Sequence, residues 1–422
     1  MATIELLVTD VACLKQIKTK LEQENAFVKP IVSENGYKVV KTRLIEEDTL
    51  VQELLSAFKH KLSIRDSVSC LEASDGPNDR LSEFASAFLR NSGTSSDEIK
   101  SLLEHLPLRY SLYKPLVLFN NSSERSFLHN AWQEALTRPE NAEFMHQMLQ
   151  VLFPHFTHVA TNQPIVDYDE MRRPFHIFSL EGDLFRGKIE PHVQDSPTSR
   201  DFDASIWCHV VQNGIHQVWS PVFTMFSRGN IKEKKRILDP AAYPDVADND
   251  VVDMYAGIGY FTLSYLKRGA RRVFCFELNP WSTEGLKRGV ALNKFAGQCH
   301  VFQESNENCL ERLKLFQAVR VRHINLGLLP SSRQGYPWAL QIAKKYGSTP
   351  KTTLHIHENI HIEDIASGVF VRDTLSLLHD IEPDFHYTST HLEKVKTFAP
   401  DVWHCVLDVD LTSIRTMGQM TD

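Results

Sequence analysis

The spacing of apolar and polar positions divides the first quarter of the chain into two regions. In residues 1–62, strand-like apolar runs at Ile4–Val8 and Tyr37–Val40 flank an amphipathic stretch near Ala12–Glu24, which predicts a small α/β module. Residues 63 to about 76 are polar and predict a linker. Apolar residues then recur at helical spacing around Leu81–Leu89 and Ile99–Leu106. We therefore predict that residues 63–105 form a linker with helices.

Helical and strand-like patterns are mixed in residues 106–245, which predicts an α+β middle domain. Helices are expected at Phe127–Leu136 and Ala142–Leu152, and strands at Tyr113–Phe119 and Ala204–Gln212. The segment Lys188–Asp203 contains two prolines and predicts a surface loop.

From about residue 246 to residue 422, short apolar runs alternate with helical patterns, which predicts a mostly parallel sheet with crossover helices. The predicted strands are Val251–Tyr255, Val273–Glu277, His300–Gln303, Arg322–Leu326, Leu354–Glu358 and Val402–Val409; the helices between them include Phe261–Lys267, Thr283–Asn293 and Asn308–Phe316. Ligands of such sheets bind outside the carboxyl ends of the strands. Glu277, Asn306 and Asn325 are therefore expected to line one crevice.

One motif in this domain predicts a nucleoside site. The first strand ends in Asp253, a Gly257-x-Gly259 turn follows, and the next strand ends in Glu277. Glycines let a cofactor approach the backbone, and a carboxylate can accept hydrogen bonds from a ribose diol. Thr262 replaces the third glycine of a dinucleotide motif, so S-adenosylmethionine is favoured over NAD. The alternative is an ordinary strand-turn-helix in an α/β domain without a ligand.

Composition narrows the class of protein. The 422 residues carry a net charge of -7, which argues against nucleic-acid binding through bulk charge. A local basic run, Arg228–Arg236, has five cations in nine residues. No signal peptide or run of about 18 apolar residues is present, so no membrane span is expected. Seven scattered cysteines predict reduced thiols and a cytoplasmic location.

An ordered set of motifs resembles one family, the tRNA wybutosine-synthesising aminocarboxypropyl transferases. The motifs are Met225–Asn230, Val252–Thr262, Glu277–Pro280, Ile324–Ser332 and Leu354–Asn359. The resemblance covers roughly residues 205–410. It implies a class I methyltransferase-like Rossmann sheet at the C-terminus, with the smaller α/β N-terminal and α+β middle domains before it. It also implies S-adenosylmethionine as donor and the tricyclic base at position 37 of phenylalanine tRNA as acceptor.

The related tRNA guanosine-37 N1-methyltransferases share the fold, and they remain one alternative. Members of that family typically have Asn-Leu-Pro where this chain has Asn325-Leu-Gly327, so we favour the transferase. A tRNA-binding protein with a decayed cofactor site is the other alternative. This chain also departs from its own family at Glu304-Ser305-Asn306, where relatives often have Gly-Asp-Asn, and at Arg322-His323-Ile324, where they have Asp-Arg-Val. The roles of those two acids therefore do not carry over.

The resemblance assigns roles to individual residues. Ser227 and Arg228 would hold the amino-acid end of the donor, Glu277 its ribose and Ala256–Gly259 its nucleoside, while Asn325 would border the target base. Arg228 could instead be a phosphate-facing or interdomain cation, Asn325 a strand-end cap, and Asp253 either an organiser of the glycine turn or a contact of the donor's amine. Arg228 and Asn325 are the predicted catalytic residues. The predicted cofactor-binding residues are Phe226, Ser227, Arg228, Asp253, Ala256, Gly257, Gly259, Glu277, Leu278, Asn279, Ser305, Asn306 and Asn325.

Further expectations concern metal and RNA. His355, His357 and His361 lack a completing acid or cysteine at standard spacing, so no metal is expected. Tyr336 and Trp338 are candidates for stacking on the base, or else core residues. The N-terminal and middle domains and the helix Lys232–Arg236 are expected to contact tRNA phosphates, and Arg172-Arg173 is a smaller basic cluster. Other enzymes of the wybutosine pathway are potential further partners.

Overall fold

The computed structural model describes residues 4–24, 26–34, 37–42, 44, 48–66, 77–162 and 177–414. These residues divide into two compact units, 1–87 and 88–422. Most of the predicted linker and Arg172-Arg173 lie outside the described residues, as do Met1–Thr3 and Cys70, one of the seven cysteines. In the described part of the chain, no helix has both the length and the apolar character needed to cross a membrane.

The first unit is built on a four-stranded antiparallel sheet with the order β2-β3-β1-β4. Leu6, Ile17 and Leu54 are fully buried in its core, which explains why the amphipathic stretches fold onto the sheet. These helices and strands confirm the predicted small α/β module. The elements are β1 (Ile4–Val8), α1 (Val11–Gln23), β2 (Phe27–Glu34), β3 (Tyr37–Thr42), α2 (Thr49–Ala57) and β4 (Leu62–Asp66), and α3 (Pro77–Asn91) crosses the division between the units.

Strand β4 corrects the prediction that a linker begins at residue 63. This strand pairs antiparallel with β1, and Leu62 and Ile64 pack against the core of the unit. Only two apolar residues alternate with polar ones over its five positions, which gives a weak sequence signal. The pairing with β1, more than 50 residues earlier, determines its structure.

The second unit begins with helices and a mixed sheet of order β5-β6-β7-β8, followed by the two-stranded ribbon β9-β10. Buried aromatic rings of Phe119, Phe127, Trp132 and Phe144 pack edge to face in its core. The elements are α4 (Ser96–Glu104), β5 (Tyr110–Tyr113), β6 (Leu116–Phe119), α5 (Asn130–Thr137), α6 (Phe144–Leu152), β7 (His158–Asn162), β8 (Ile177–Glu181), α7 (Pro191–Asp195), α8 (Ser199–Ala204), β9 (Cys208–Gln212) and β10 (Ile215–Trp219).

Two predictions for this region were wrong in detail. The single strand predicted at Tyr113–Phe119 is a hairpin, because β5 and β6 pair antiparallel around Lys114-Pro115. The predicted loop at Lys188–Asp203 contains the short helices α7 and α8. Helix α7 has Pro191 in its first turn, and α8 begins with a capping box of Thr198 and Asp201. Both helix-start signals are present in the sequence.

A seven-stranded sheet of order β13-β12-β11-β14-β15-β17-β16 forms the rest of the second unit. Strands β11 to β15 are parallel, and β17 runs antiparallel between β15 and β16. The elements are α9 (Ile231–Ile237), β11 (Asp250–Asp253), α10 (Thr262–Lys267), β12 (Arg272–Phe276), α11 (Pro280–Leu292), β13 (Cys299–Phe302), α12 (Cys309–Leu313), β14 (Val321–Leu326), α13 (Tyr336–Tyr346), β15 (Thr352–His361), α14 (Ile362–Ser367), α15 (Val369–Ile381), β16 (Phe385–Ala399) and β17 (Val402–Ser413).

All six strands predicted for this sheet are present, and β16 is an additional strand that the sequence analysis missed. Most of its 15 residues are exposed or half-buried, as expected for an edge strand, so its apolar pattern is weak.

The two faces of the sheet are covered by different helices. Val252 packs in the cluster with α12, α13 and α15, whereas the neighbouring Val251 packs in the cluster with α9, α10 and α11. Burial on both faces explains the continuous apolar runs of the central strands.

Candidate active site

The turn after β11 has the geometry that its glycines predict. Gly257 and Gly259 have φ angles of +55° and +86°, in the left-handed region that favours glycine. A Cβ at Gly259 would lie 2.6 Å from Leu286 Cδ1, and one at Gly257 would lie 3.0 Å from the Tyr260 ring. The backbone therefore curves tightly at the carboxyl end of β11. The buried Ala256 begins this curve by donating its N–H to the Phe276 carbonyl at 3.0 Å.

Asp253 joins this turn to the neighbouring strand β14. Its carboxylate is fully buried and accepts hydrogen bonds from Thr262 Oγ1 at 2.7 Å and Asn325 Nδ2 at 2.9 Å. Burial raises the pKa of Asp253, although these hydrogen bonds oppose the increase. Two roles were predicted for Asp253, and the contacts seen here are those of a residue that organises the glycine turn. A contact with the donor's amine stays a prediction.

Glu277 lies at the end of β12, beside the same turn. One carboxylate oxygen accepts the Gly257 N–H and the other accepts the Asn279 N–H, both at 2.8 Å. Burial raises the pKa of Glu277, and the two backbone N–H groups partly offset this effect. Each oxygen retains a further lone pair, so the carboxylate can still accept from a ribose diol. Leu278, next to it, is 50% exposed and offers an apolar surface.

Three polar side chains form hydrogen bonds with main-chain groups at this edge of the sheet, those of Asn279, Ser305 and Asn306. Asn279 Oδ1 caps α11 by accepting the Trp281 N–H at 2.9 Å, as its Asn-Pro motif predicts. Ser305 Oγ accepts the Glu307 N–H at 3.3 Å. Asn306 Nδ2 donates to the Met254 carbonyl at 3.0 Å.

These contacts bring together the three residues that were predicted to line one crevice, and the crevice itself stays a prediction. Glu277, Asn306 and Asn325 each bond to the segment Asp253–Gly257, and they follow or end three different strands. Asn325 also has a side-chain oxygen that is buried without a hydrogen-bond partner. A Cβ at Gly327 would lie 2.9 Å from Asn325 Nδ2, so the small residue leaves space for the amide.

The loop of residues 225–230 lies against the glycine turn. Tyr260 donates its hydroxyl hydrogen to the Met225 carbonyl. The Phe226 ring stacks on Trp219 with centroids 4.4 Å apart and lies 6.4 Å from the Tyr260 ring. These contacts bring the predicted donor-binding residues of this loop next to Gly257 and Gly259.

The two polar residues of the 225–230 loop have partners far away in the sequence. Arg228 is exposed, and its guanidinium donates to Ser111 Oγ at 2.9 Å and lies 5.7 Å from the Tyr113 ring centroid. Ser227 Oγ accepts a hydrogen bond from Lys396 Nζ at 3.2 Å. Sequence reasoning missed Lys396, because it lies on the unrecognised strand β16.

Helix α9 corrects part of the tRNA-contact prediction. Lys234 is 2% exposed and donates to the side-chain oxygens of Gln212 and Gln217, at 3.0 and 2.7 Å. Burial lowers the pKa of Lys234 to about 7. Arg236 is also largely buried and forms ion pairs with Glu233 and Asp408. Neither cation is available to phosphates. Lys232 and Lys235 are exposed, and Lys232 pairs with Glu393.

The histidines of β15 belong to a buried polar network. His355 lies between His323, at 3.0 Å, and Asp408, at 2.7 Å, and His357 contacts His404 at 3.0 Å. Burial alone would raise the pKa of Asp408, but His355 and Arg236 hold it well below its usual range. Within the described ranges, no group of three or more His, Cys, Asp or Glu side chains could hold a metal ion.

The aromatic candidates for base stacking lie mainly in the core. Tyr336 is fully buried in the cluster of α12, α13 and α15, which agrees with the core alternative for this residue. Trp338 packs at the margin of the same cluster. Both rings are part of the apolar packing of α13 against the sheet.

Comparisons with known proteins agree with this architecture. Residues 209–327 match the family described as the TRM5/TYW2 methyltransferase domain. The chain is 44% identical to tRNA wybutosine-synthesizing protein 2 of Saccharomyces cerevisiae, covering 97% of this chain and 98% of that protein. It is 35% identical to the Schizosaccharomyces pombe protein of the same name, covering 72% and 73%.

A solved structure provides the comparison of folds. The crystal structure of P. horikoshii TYW2 in complex with MeSAdo is similar over 78% of this chain and 99% of that one, with a TM-score of 0.52 and 19% identity. At that identity the likeness concerns the fold. It confirms the predicted class I methyltransferase-type sheet.

Proposed function

Because this chain belongs to the family of tRNA wybutosine-synthesizing protein 2, we propose that it is an S-adenosylmethionine-dependent tRNA aminocarboxypropyl transferase. It transfers the 3-amino-3-carboxypropyl group to a carbon of the tricyclic 4-demethylwyosine base at position 37 of phenylalanine tRNA. Methylthioadenosine is released. The observation that carries this proposal is the 44% identity with the yeast protein over nearly the whole chain.

The side chains and backbone of the crevice fit the donor. The glycine turn offers a backbone surface without Cβ atoms, and Glu277 keeps lone pairs for the ribose hydroxyls. Ser305 and Asn306 follow β13, which neighbours β12 on the side away from β14, and together with Leu278 they are the proposed contacts of the adenine. Asn279 supports the site by capping α11.

The amino-acid end of the donor is assigned to the 225–230 loop. Phe226 packs the loop against Tyr260, and this contact supports a position next to the glycine turn. Ser227 and Arg228 supply polar groups there, and Arg228 is the proposed partner of the donor carboxylate. The bond to Ser111 uses one donor of the Arg228 guanidinium and leaves others for a carboxylate.

The reaction forms a carbon–carbon bond. The donor's sulfonium supplies an electrophilic γ-carbon; the acceptor carbon attacks it, the S–Cγ bond breaks, and its electron pair stays on sulfur as neutral methylthioadenosine. The acceptor carbon then loses its proton to water. Positioning by the crevice and by Asn325 can contribute up to about 7–11 kcal/mol without a general base.

The by-product identifies the reaction. The protein is incubated with S-adenosylmethionine and tRNA that carries the tricyclic base, and the released nucleoside is separated by chromatography. Methylthioadenosine is expected. S-adenosylhomocysteine would instead indicate a methyltransferase, and no turnover despite tRNA binding would indicate a decayed site.

The remaining assignments also belong to this proposal. Residues 1–62 and the middle domain, residues 106–245, contact the tRNA, and residues 246–422 perform the chemistry. Recognition of phenylalanine tRNA, encounters with other wybutosine-pathway enzymes and a cytoplasmic location follow from the same function. The six cysteines in the described part of the chain are all free, which supports a reducing compartment.

A further inference from the structure

A lysine from the far edge of the sheet reaches the 225–230 loop. Lys396 Nζ donates to Ser227 Oγ at 3.2 Å. The side chain of Lys396 lies against the loop backbone, since a Cβ at Gly229 would be 3.0 Å from Nζ and 3.2 Å from Cε. The absence of a side chain at Gly229 therefore admits the lysine. Lys396 is therefore held against the loop instead of extending into solvent.

A β-bulge directs Lys396 to this face. On β16, Lys394 is opposite Cys405 and Lys396 is opposite His404, with a register shift between the two lysines. Without the extra residue, side chains two positions apart would share a face. The Lys394 ammonium instead lies 5.1 Å from the Trp403 ring centroid. The bulge thus separates two neighbouring lysines and leaves only Lys396 at Ser227.

In the proposed function the amino-acid arm of the donor would extend toward this lysine. Glu277 would bind the ribose at the end of β12, and the sheet continues from there through β11, β14, β15 and β17 to β16. With adenine on the β13 side, the arm must extend in the opposite direction, where the 225–230 loop lies. Arg228 is bonded to Ser111, so the cation in contact with Ser227 is Lys396.

We propose that Lys396, together with Ser227, is a second partner of the donor carboxylate, in addition to the contact proposed for Arg228. An ammonium is a compact charge that pairs strongly with a carboxylate, while the serine hydroxyl adds a directed hydrogen bond. Holding the carboxylate at this point limits rotation of the arm and so decides which carbon of the sulfonium faces the acceptor. This assignment rests on the proposed function for the identity of the donor.

Three ligands test the assignment: the first two differ only in the carboxylate of the arm, and the third is a neutral thioether without the arm. S-adenosylmethionine carries the carboxylate, decarboxylated S-adenosylmethionine lacks it, and methylthioadenosine lacks the whole arm. Calorimetry with Lys396→Met should show S-adenosylmethionine bound about tenfold more weakly or worse, with the other two affinities unchanged. Lys396→Arg should recover part of the loss. Unchanged methylthioadenosine binding also demonstrates that the variant is folded.

Lys394→Met is the matched control, because it removes a neighbouring lysine from the same strand without touching Ser227. All three affinities should equal those of the unmodified protein. Equal weakening of all three ligands by Lys396→Met would indicate a structural role and overturn the proposal. So would unchanged S-adenosylmethionine affinity with weakened tRNA binding. A by-product of S-adenosylhomocysteine from the unmodified protein would refute the proposed function and leave these binding differences intact.

Discussion

At the scale of single residues, the carboxylates of the site serve the protein as well as the proposed ligand. Glu277 accepts the N–H groups of Gly257 and Asn279, and Asp253 accepts from Thr262 and Asn325. Each acid therefore shapes the crevice before any ligand enters. Replacing one removes a ligand contact and a backbone support together.

The first prediction concerns Glu277. Glu277→Ala should weaken binding of S-adenosylmethionine and of methylthioadenosine alike, by roughly 100-fold, because both contain the ribose and a charged acceptor is lost. Calorimetry measures both affinities. Glu311→Ala, which removes an exposed acid paired with Lys314, is the control and should change neither. A loss confined to S-adenosylmethionine would place Glu277 at the amino-acid end instead.

The second prediction concerns pH and Lys234. Burial lowers the pKa of this lysine to about 7, whereas its unfolded value is about 10.4. Between these values the unfolded chain binds a proton that the folded chain does not, so this residue makes stability rise with pH across that window. Below pH 7 both states are protonated, and the cost of burying the charge is fully present.

Removing the ammonium should remove this dependence. Lys234→Met is expected to flatten the pH profile of the unfolding free energy between about pH 7 and 10, by roughly a few kcal/mol. Urea denaturation at several pH values provides the measurement. Lys394→Met, an exposed lysine, should keep the original slope. An unaltered slope in Lys234→Met would show that Lys234 stays protonated in the folded protein.

At the scale of elements, the strand-turn-helix from β11 to α10 was the most predictable part of the chain. An apolar strand, two glycines and a helix start follow one another within a few residues, so local sequence contains all of the information. Gly259 has a second constraint that is not local. Its missing Cβ makes room for Leu286 of α11.

The third prediction separates these two constraints. Gly93 and Gly259 have nearly equal φ angles, +84° and +86°, but only Gly259 is crowded; nothing lies within 4 Å of a Cβ at Gly93. Gly93→Ala should cost about 1 kcal/mol of stability from backbone strain alone and leave S-adenosylmethionine affinity unchanged. Gly259→Ala should cost more and weaken that affinity at least tenfold. Equal effects in denaturation and calorimetry would refute the packing argument.

At the scale of the whole second unit, a buried charged network connects distant segments. Arg236 of α9 bonds to Glu233 and to Asp408 of β17, and Asp408 bonds to His355 of β15. The network therefore attaches the segment before the catalytic sheet to two of its strands. A basic run in the sequence, which suggested a surface for phosphates, here supplies an internal connection.

The fourth prediction follows from this network. Arg236→Met should destabilise the protein by about 3–5 kcal/mol, because it leaves two acids buried without their cation. Lys235→Met, the exposed neighbour on the same helix, should change stability by less than about 0.5 kcal/mol. Chemical denaturation compares the two variants. Comparable stability of both would mean that Arg236 is solvated and free to contact RNA.

Local patterns predicted local structure well and long-range pairing poorly. The parallel strands and the crevice around Glu277 and Asn325 were predicted, because apolar runs and glycine turns are contiguous signals. The β5–β6 hairpin, strand β4 and strand β16 were missed or misjudged, because their structure depends on partners elsewhere. For Tyr336 the sequence left base stacking and the core as alternatives for a related reason: an aromatic ring in a sequence does not reveal whether a helix will cover it.

The sequence by itself determined the family, the fold class and the order of the cofactor motifs, since each depends on residues that are neighbours along the chain. Tertiary structure alone decided which charged side chains are available to bind a ligand or RNA. It buried Lys234 and Arg236, turned Arg228 toward Ser111, and brought Lys396 to Ser227 across 169 positions. The physical reason is that the effect of a charge depends on its solvent exposure and its nearest counter-groups, and both are set by how distant segments pack.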